Sequence, residues 1–123
     1  MTRSRILIVD DEINLVNMLQ RLLKNLDYDV AVAMDGRQAL ELADQFDPDL
    51  ILLDIKMPDM NGVQVLKTLR SIACFAETPI IVLSAKGQLH EINAGIEAGA
   101  DTYLCKPVMF DEILNTIIRH LTP

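Results

Sequence analysis

The stretch "DLILLDIKMPDMNG", residues 49–62, decides how the chain is read. Four apolar residues, Leu50 to Leu53, have the length and character of a buried strand. That strand runs into a carboxylate, Asp54, at a place where burying a charge is costly. Pro58 and Gly62 then shape the loop that follows, with Gly62 suited to a turn or a close backbone approach. A buried strand ending in an acid needs neighbours that cover it and groups that compensate the charge.

The neighbours are legible on both sides. Short apolar runs recur at "RILIV" (5–9), "YDVAVA" (28–33), "PIIVL" (79–83) and "DTYL" (101–104), each bounded by Asp, Gly, Pro or Ser. Between them lie helical stripes. Leu15, Leu19, Leu22 and Leu26 form the first. Ala39, Ala43 and Phe46 form the second, with Asp35 as its N-cap. Val65, Leu66, Leu69, Ile72 and Ala73 form the third. Leu89, Ile92, Ile96 and Gly99 form a weaker fourth, interrupted by Gly95. Phe110, Ile113, Leu114, Ile117, Ile118 and Leu121 form the clearest. Strands and helices therefore alternate through five βα units, which implies an α/β fold. Its parallel sheet is covered on both sides, with right-handed crossovers.

The 123 residues suit one domain, residues 1–123, and a 50% hydrophobic content supplies a core. No apolar run is longer than five residues, so a membrane span is not expected and the cytoplasm is. The formal net charge of -7 argues against direct nucleic-acid binding by this domain. Cys74 and Cys105 are read as a reduced pair, with Cys105 a small buried residue. His90 and His120 are read as surface helix residues, and Met57 and Met60 as rim residues of the site.

The chemistry gathers at the carboxyl ends of the strands. Asp10 and Asp11 follow the first, Asp54 the third, Ser84 the fourth and Lys106 the fifth. In open parallel sheets these ends share one edge, where ligands bind. Three carboxylates brought together repel one another unless a cation neutralises them. Hard oxygen ligands without a His or Cys cluster favour Mg²⁺ over zinc. Lys106 and the Ser84 hydroxyl complete an anion site. The set suits a phosphoryl group on or beside a carboxylate, with Asp54 as nucleophile.

At "VDDE" (9–12), "LLDIKMPDMNG" (52–62), "VLSA" (82–85) and "GADTYLCKP" (99–107) the chain resembles the receiver domains of bacterial two-component response regulators. The resemblance covers essentially the whole chain. It implies a doubly wound, flavodoxin-like three-layer sandwich with strand order 2-1-3-4-5. It makes Asp54 the phosphoacceptor and places Mg²⁺ on Asp10, Asp11, Asp54 and the backbone carbonyl of Lys56. Lys106 would pair with the phosphoryl oxygens, and Ser84 would hydrogen-bond to them. Tyr103 matches the switch aromatic that responds to Ser84. Lys106-Pro107 matches a peptide bond that is cis in the family. Lys56 and Lys86, each two residues beyond Asp54 or Ser84, stand where side chains influence loss of the phosphoryl group.

The implied partners are a sensor histidine kinase or phosphotransfer protein and a downstream target or output domain. No membrane insertion is implied, and a phosphorylation-dependent dimer fits the same scheme. The responding surface would be the fourth helix, fifth strand and fifth helix, approximately residues 88–121, with Phe110 at its edge. The domain would be a phosphoacceptor that assists its own phosphorylation and dephosphorylation, not an enzyme acting on other molecules. Two other classes stand beside this reading. An aspartate-nucleophile phosphohydrolase also uses strand-end carboxylates and Mg²⁺, but with its acidic residues two apart and a cap domain. A binding module without phosphorylation could be a flavin binder or a degenerate receiver. Flavin is disfavoured by the lack of a phosphate-cradling first loop and an aromatic content of 4%.

Overall fold

Every strand hydrogen-bonds in parallel with its neighbours, and the sheet order is β2-β1-β3-β4-β5. The computed structural model describes residues 3–56, 61–85 and 89–122. Along the chain the elements are β1 (Arg5–Val9), α1 (Ile13–Asn25), β2 (Asp29–Ala33), α2 (Gly36–Phe46), β3 (Leu50–Asp54) and α3 (Gly62–Ser71). A 3-10 turn (Ala73–Phe75), β4 (Ile80–Ala85), α4 (Leu89–Ala98), β5 (Thr102–Lys106) and α5 (Phe110–Leu121) follow. The α/β class and the strand order are those expected from the sequence.

Alternation along the central strands builds the three layers. Leu7, Val9, Ile51, Leu53, Ile80 and Val82 face one side and pack with Ala39 and Ala43 of α2 and Val65, Leu66 and Leu69 of α3. Ile6, Ile8, Leu50, Leu52 and Ile81 face the other side, against Val16, Leu19 and Leu23 of α1 and Ile113 and Ile117 of α5. Every residue of β3 is buried, as a central strand covered on both faces requires. β5 lies at the sheet edge and is only half covered.

Local chemistry sets the helix starts. Asp35 caps α2 by accepting from Gln38 N at 2.8 Å, while Gln38 Oε1 accepts from Met34 N at 2.8 Å. This reciprocal pairing follows the logic of a capping box. Asn61 caps α3 by accepting from Val63 N. Asp111 and Glu112 in the first turn of α5 and Arg119 and His120 in its last complement the helix dipole.

The loop after Asp54 returns tightly to the strand it leaves. Gly62 N donates to Ile55 O at 2.8 Å, and Lys56 bridges to Asn61. A Cβ on Gly62 would meet Ile55 Cα and Ile55 O at 2.5 Å, so this close approach admits glycine alone.

The last three strands extend one or two residues beyond the runs read from sequence. Asp54 and Lys106 are therefore the final residues of β3 and β5, and Ser84 lies within β4, rather than following them. Backbone pairing carries the sheet past the apolar run because ladder hydrogen bonds do not require an apolar side chain.

Candidate functional site

The first, third and fifth strands deliver their acids and base to one point. Asp10 lies just beyond β1 and is fully buried; Asp54 is 6% exposed and Ser84 is 1% exposed. Asp11 is exposed. Carboxylate oxygens of Asp10, Asp11 and Asp54 lie within 4.8 Å of one another. The register sets Asp54 beside Leu83 and Ala85 beside Lys106, so Ser84 stands on the strand between the acid and the base. The Lys106-Pro107 peptide is cis.

The ammonium of Lys106 draws the carboxylates together. Its Nζ is 2.9 Å from Asp10 Oδ2, 3.4 Å from Glu12 Oε2 and 3.6 Å from Asp54 Oδ2. Backbone groups hold the other oxygens. Glu12 N donates to Asp10 Oδ1 at 2.9 Å, and Lys56 N donates to Asp54 Oδ1 at 3.2 Å. Asp10 Oδ2 is buried and receives no aligned hydrogen bond, so its contact with Lys106 is an ion pair of poor hydrogen-bond geometry.

These surroundings shift two groups. Burial, reinforced by the charge of Asp10, pushes the Asp54 carboxyl up to about 6; Lys106 and the Lys56 amide pull only partly against it. Burial pulls Lys106 down, but its close ion pair with Asp10, with the charges of Asp54 and Glu12 adding, leaves it above the ordinary lysine value. The cluster thus carries more negative charge than one ammonium compensates. A hard divalent cation fits the donor set: three carboxylates, one with a buried oxygen lacking an aligned donor, and no sulfur or imidazole.

The response regulator receiver domain model matches residues 6–118. The chain belongs to the receiver-domain family of response regulators. Receiver domains of this family generally use Mg²⁺, in keeping with the acidic cluster here. This receiver domain is 41% identical over 119 residues to the DNA-binding response regulator MtrA of Mycobacterium leprae, covering 97% of this chain and 52% of that protein. It is 42% identical over 113 residues to the transcriptional regulatory protein PrrA of Mycobacterium tuberculosis, covering 92% and 48%. The chain spans about half the length of the curated relatives it matches. Among solved structures it is similar to the chemotaxis response regulator CheY4 of Vibrio cholerae. That match has a TM-score of 0.91, 33% identity, and coverage of 98% of this chain and 100% of that one. It is also similar to the receiver domain of Francisella response regulator 1452, with a TM-score of 0.86, 30% identity and 96% coverage of each.

Other expected residues fall in different places. Tyr103 is 41% exposed on β5, and Cys105 is also exposed on the same face of that strand. The expected burial of Cys105 is overturned: its side chain is exposed, on the face of β5 opposite to Leu104, which points into the α1–α5 layer as alternation along a strand requires. His120 is half-buried, with Nε2 2.7 Å from Thr102 Oγ1, so it fastens α5 to β5 and is not a free surface residue. Met57, Pro58, Met60 and Lys86 lie outside the described residues, as does the side chain of His90. No helix among the described residues is long and apolar enough to cross a membrane.

Glu12 is the residue whose contact the sequence hid. It sits beside the acidic pair in "VDDE", but its partner Lys106 is 94 residues away.

Proposed function

We propose that residues 1–123 form a single receiver domain that works as a phosphorylation-operated switch, with Asp54 as phosphoacceptor. The observation that supports this most is the buried Asp54 carboxylate, placed between an acidic cluster and the Lys106 ammonium. Such a site neutralises a transferring phosphoryl group while leaving one carboxylate oxygen to attack it.

In this reading a sensor histidine kinase or phosphotransfer protein presents phosphohistidine. An Asp54 oxygen attacks phosphorus, the P–N bond breaks, and its electron pair returns to the imidazole nitrogen. Asp10, Asp11, Asp54 and the Lys56 carbonyl would hold Mg²⁺, which when bound offsets charge on the phosphoryl oxygens. Lys106 pairs with one phosphoryl oxygen and Ser84 donates to another. The added charge of roughly −1.5 to −2 draws both toward Asp54.

The inward pull on Ser84 biases the orientation of Tyr103, whose ring is exposed on β5. The α4–β5–α5 face then changes its affinity for a target, an output domain or a second receiver. The DNA-binding relatives are about twice as long, so an output domain of that kind is the favoured partner. Nucleic acid is not contacted by this acidic domain itself. Its place is the cytoplasm, where kinase and target meet, and it acts on no substrate besides its own aspartate.

The test is incubation with acetyl phosphate and Mg²⁺ followed by intact mass measurement. A gain of one phosphoryl group in the wild type, absent in Asp54→Ala, is expected. No gain, or a gain that survives Asp54→Ala, refutes the reading.

A further inference from the structure

Lys106 has three carboxylate partners, and one of them has no place in the metal cluster. Asp10 and Asp54 belong to that cluster, whereas Glu12, 3.4 Å from Nζ, does not. Glu12 occupies the N-cap of α1, yet its side chain makes no capping hydrogen bond. Its carboxylate is turned to Lys106 instead. Its backbone N–H is fixed on Asp10 Oδ1, so the side chain starts from a point tied to the site. The pair lines a cavity of about 490 Å³ with an apolar floor of Leu15, Met18, Pro107 and Val108. The Glu12 side chain is 57% exposed, so it can leave Lys106 without being stranded in a dry interior.

We propose that Glu12 is a positioning residue that holds Lys106 in the unmodified protein and competes with the phosphoryl group for it. The inference rests on the receiver reading above. Before transfer the ammonium is shared among Asp10, Glu12 and Asp54. After transfer Lys106 turns fully to the phosphoryl oxygens, and Glu12 swings into solvent at the cavity mouth. The competition sets a threshold for modification: part of each Lys106–phosphoryl contact replaces an existing ion pair. Glu12 touches no reacting atom and acts only through Lys106.

The experiment compares wild type, Glu12→Gln, Lys106→Met and the double variant, using acetyl phosphate and saturating Mg²⁺ with mass detection. Glu12→Gln is expected to speed phosphorylation roughly two- to fivefold, the scale of a partly exposed ion pair. In the Lys106→Met background the same change should have no effect, because the group through which Glu12 acts is gone. A second readout needs neither metal nor phosphoryl group. In metal-free protein, acetylation of Lys106 by acetic anhydride, followed by peptide mass spectrometry, should be faster in Glu12→Gln than in wild type. If the wild type is phosphorylated but Glu12→Gln matches it in both assays, Glu12 has no positioning role and the receiver reading stands. An acceleration that persists in the Lys106→Met background also overturns the role of Glu12. Failure of the wild type to take up phosphate removes both.

Discussion

Lys106 Nζ lies 2.9 Å from Asp10 Oδ2, closer than the 3.6 Å that separates it from Asp54 Oδ2. The ammonium is thus anchored on the fully buried acid while staying within reach of the acid at the end of β3. One cation partly compensates two carboxylates from different strands, and its long stem lets it shift between them without backbone movement.

Removing that cation exposes the repulsion it offsets. Lys106→Met should destabilise the metal-free protein by about 3 kcal/mol at neutral pH. This is toward the low end for a broken buried pair, because the lysine side chain is 19% exposed. Mg²⁺ should recover much of the loss by compensating the same carboxylates. Urea midpoints with and without Mg²⁺ measure both effects, and a variant as stable as wild type without metal contradicts the electrostatic account.

Asp54 makes stability depend on pH in an unusual direction. Its carboxyl is raised from 3.8 to about 6 by burial and by Asp10. Between these values the folded state keeps a proton that the unfolded chain has released, so this group's contribution falls as pH rises. Below about pH 4 both states are protonated and the penalty vanishes; above about pH 6 it is complete, on the order of 3 kcal/mol. Asp54→Asn removes the charge and keeps the shape. The variant should therefore gain stability over wild type across pH 4 to 6, with a constant advantage above that range. Mg²⁺ should narrow the advantage. Denaturant midpoints of both proteins from pH 4 to 8 check this, and a gap that is flat or closes with rising pH is incompatible with it.

The fold was largely legible because its signals are local. Apolar runs such as Leu50 to Leu53 and helical stripes such as Leu15, Leu19 and Leu22 each report one element, and their alternation prescribes a parallel sheet. The acids and Lys106 were legible because parallel strands carry their carboxyl ends to one edge. What sequence could not show depends on tertiary partners. Exposure of Cys105 depends on how far the helices cover each face of β5, and the bond from His120 to Thr102 follows from where α5 crosses that strand. Arg70 is a further case, since nothing near it in sequence distinguishes it from a solvated helix residue.

Arg70 ties together the far end of the sheet. Its Nε donates to Gly99 O at 3.0 Å, its Nη1 to Phe75 O at 2.9 Å and Thr78 O at 2.7 Å, and its Nη2 to Asp101 Oδ2 at 2.7 Å. Asp101 Oδ2 also accepts from Ile80 N at the start of β4. Arg70→Ala leaves these carbonyls and Asp101 without their shared donor and should cost about 2–3 kcal/mol. Arg70→Lys should recover little, because an ammonium lacks the planar fork. Gly99→Ala meets a φ of +115° and places a Cβ 3.1 Å from Arg70 Cγ, so a loss of about 1–3 kcal/mol is expected. Thermal unfolding of the three variants decides the matter, and near-wild-type stability of Arg70→Ala counts against the clamp.

Gly62 links backbone packing to the site itself. A Cβ there would stand 2.5 Å from Ile55 Cα and Ile55 O and 2.7 Å from Asp54 O, all backbone atoms that no rotamer change can move. Gly62→Ala must therefore push α3 away from the residues that follow Asp54 or displace Asp54 and Ile55 themselves. The first course breaks the 2.8 Å bond from Gly62 N to Ile55 O; the second shifts Lys56, whose amide holds Asp54 Oδ1. Both courses disturb the segment that carries the Lys56 carbonyl. The substitution should lower stability by about 1–3 kcal/mol, the usual range of overpacking, and weaken Mg²⁺ binding at least severalfold. Titration of Mg²⁺ against metal-dependent stabilisation separates the two effects. A destabilised variant with unchanged Mg²⁺ affinity would contradict this coupling and mean that the bond from Gly62 N to Ile55 O does not position the backbone around Asp54.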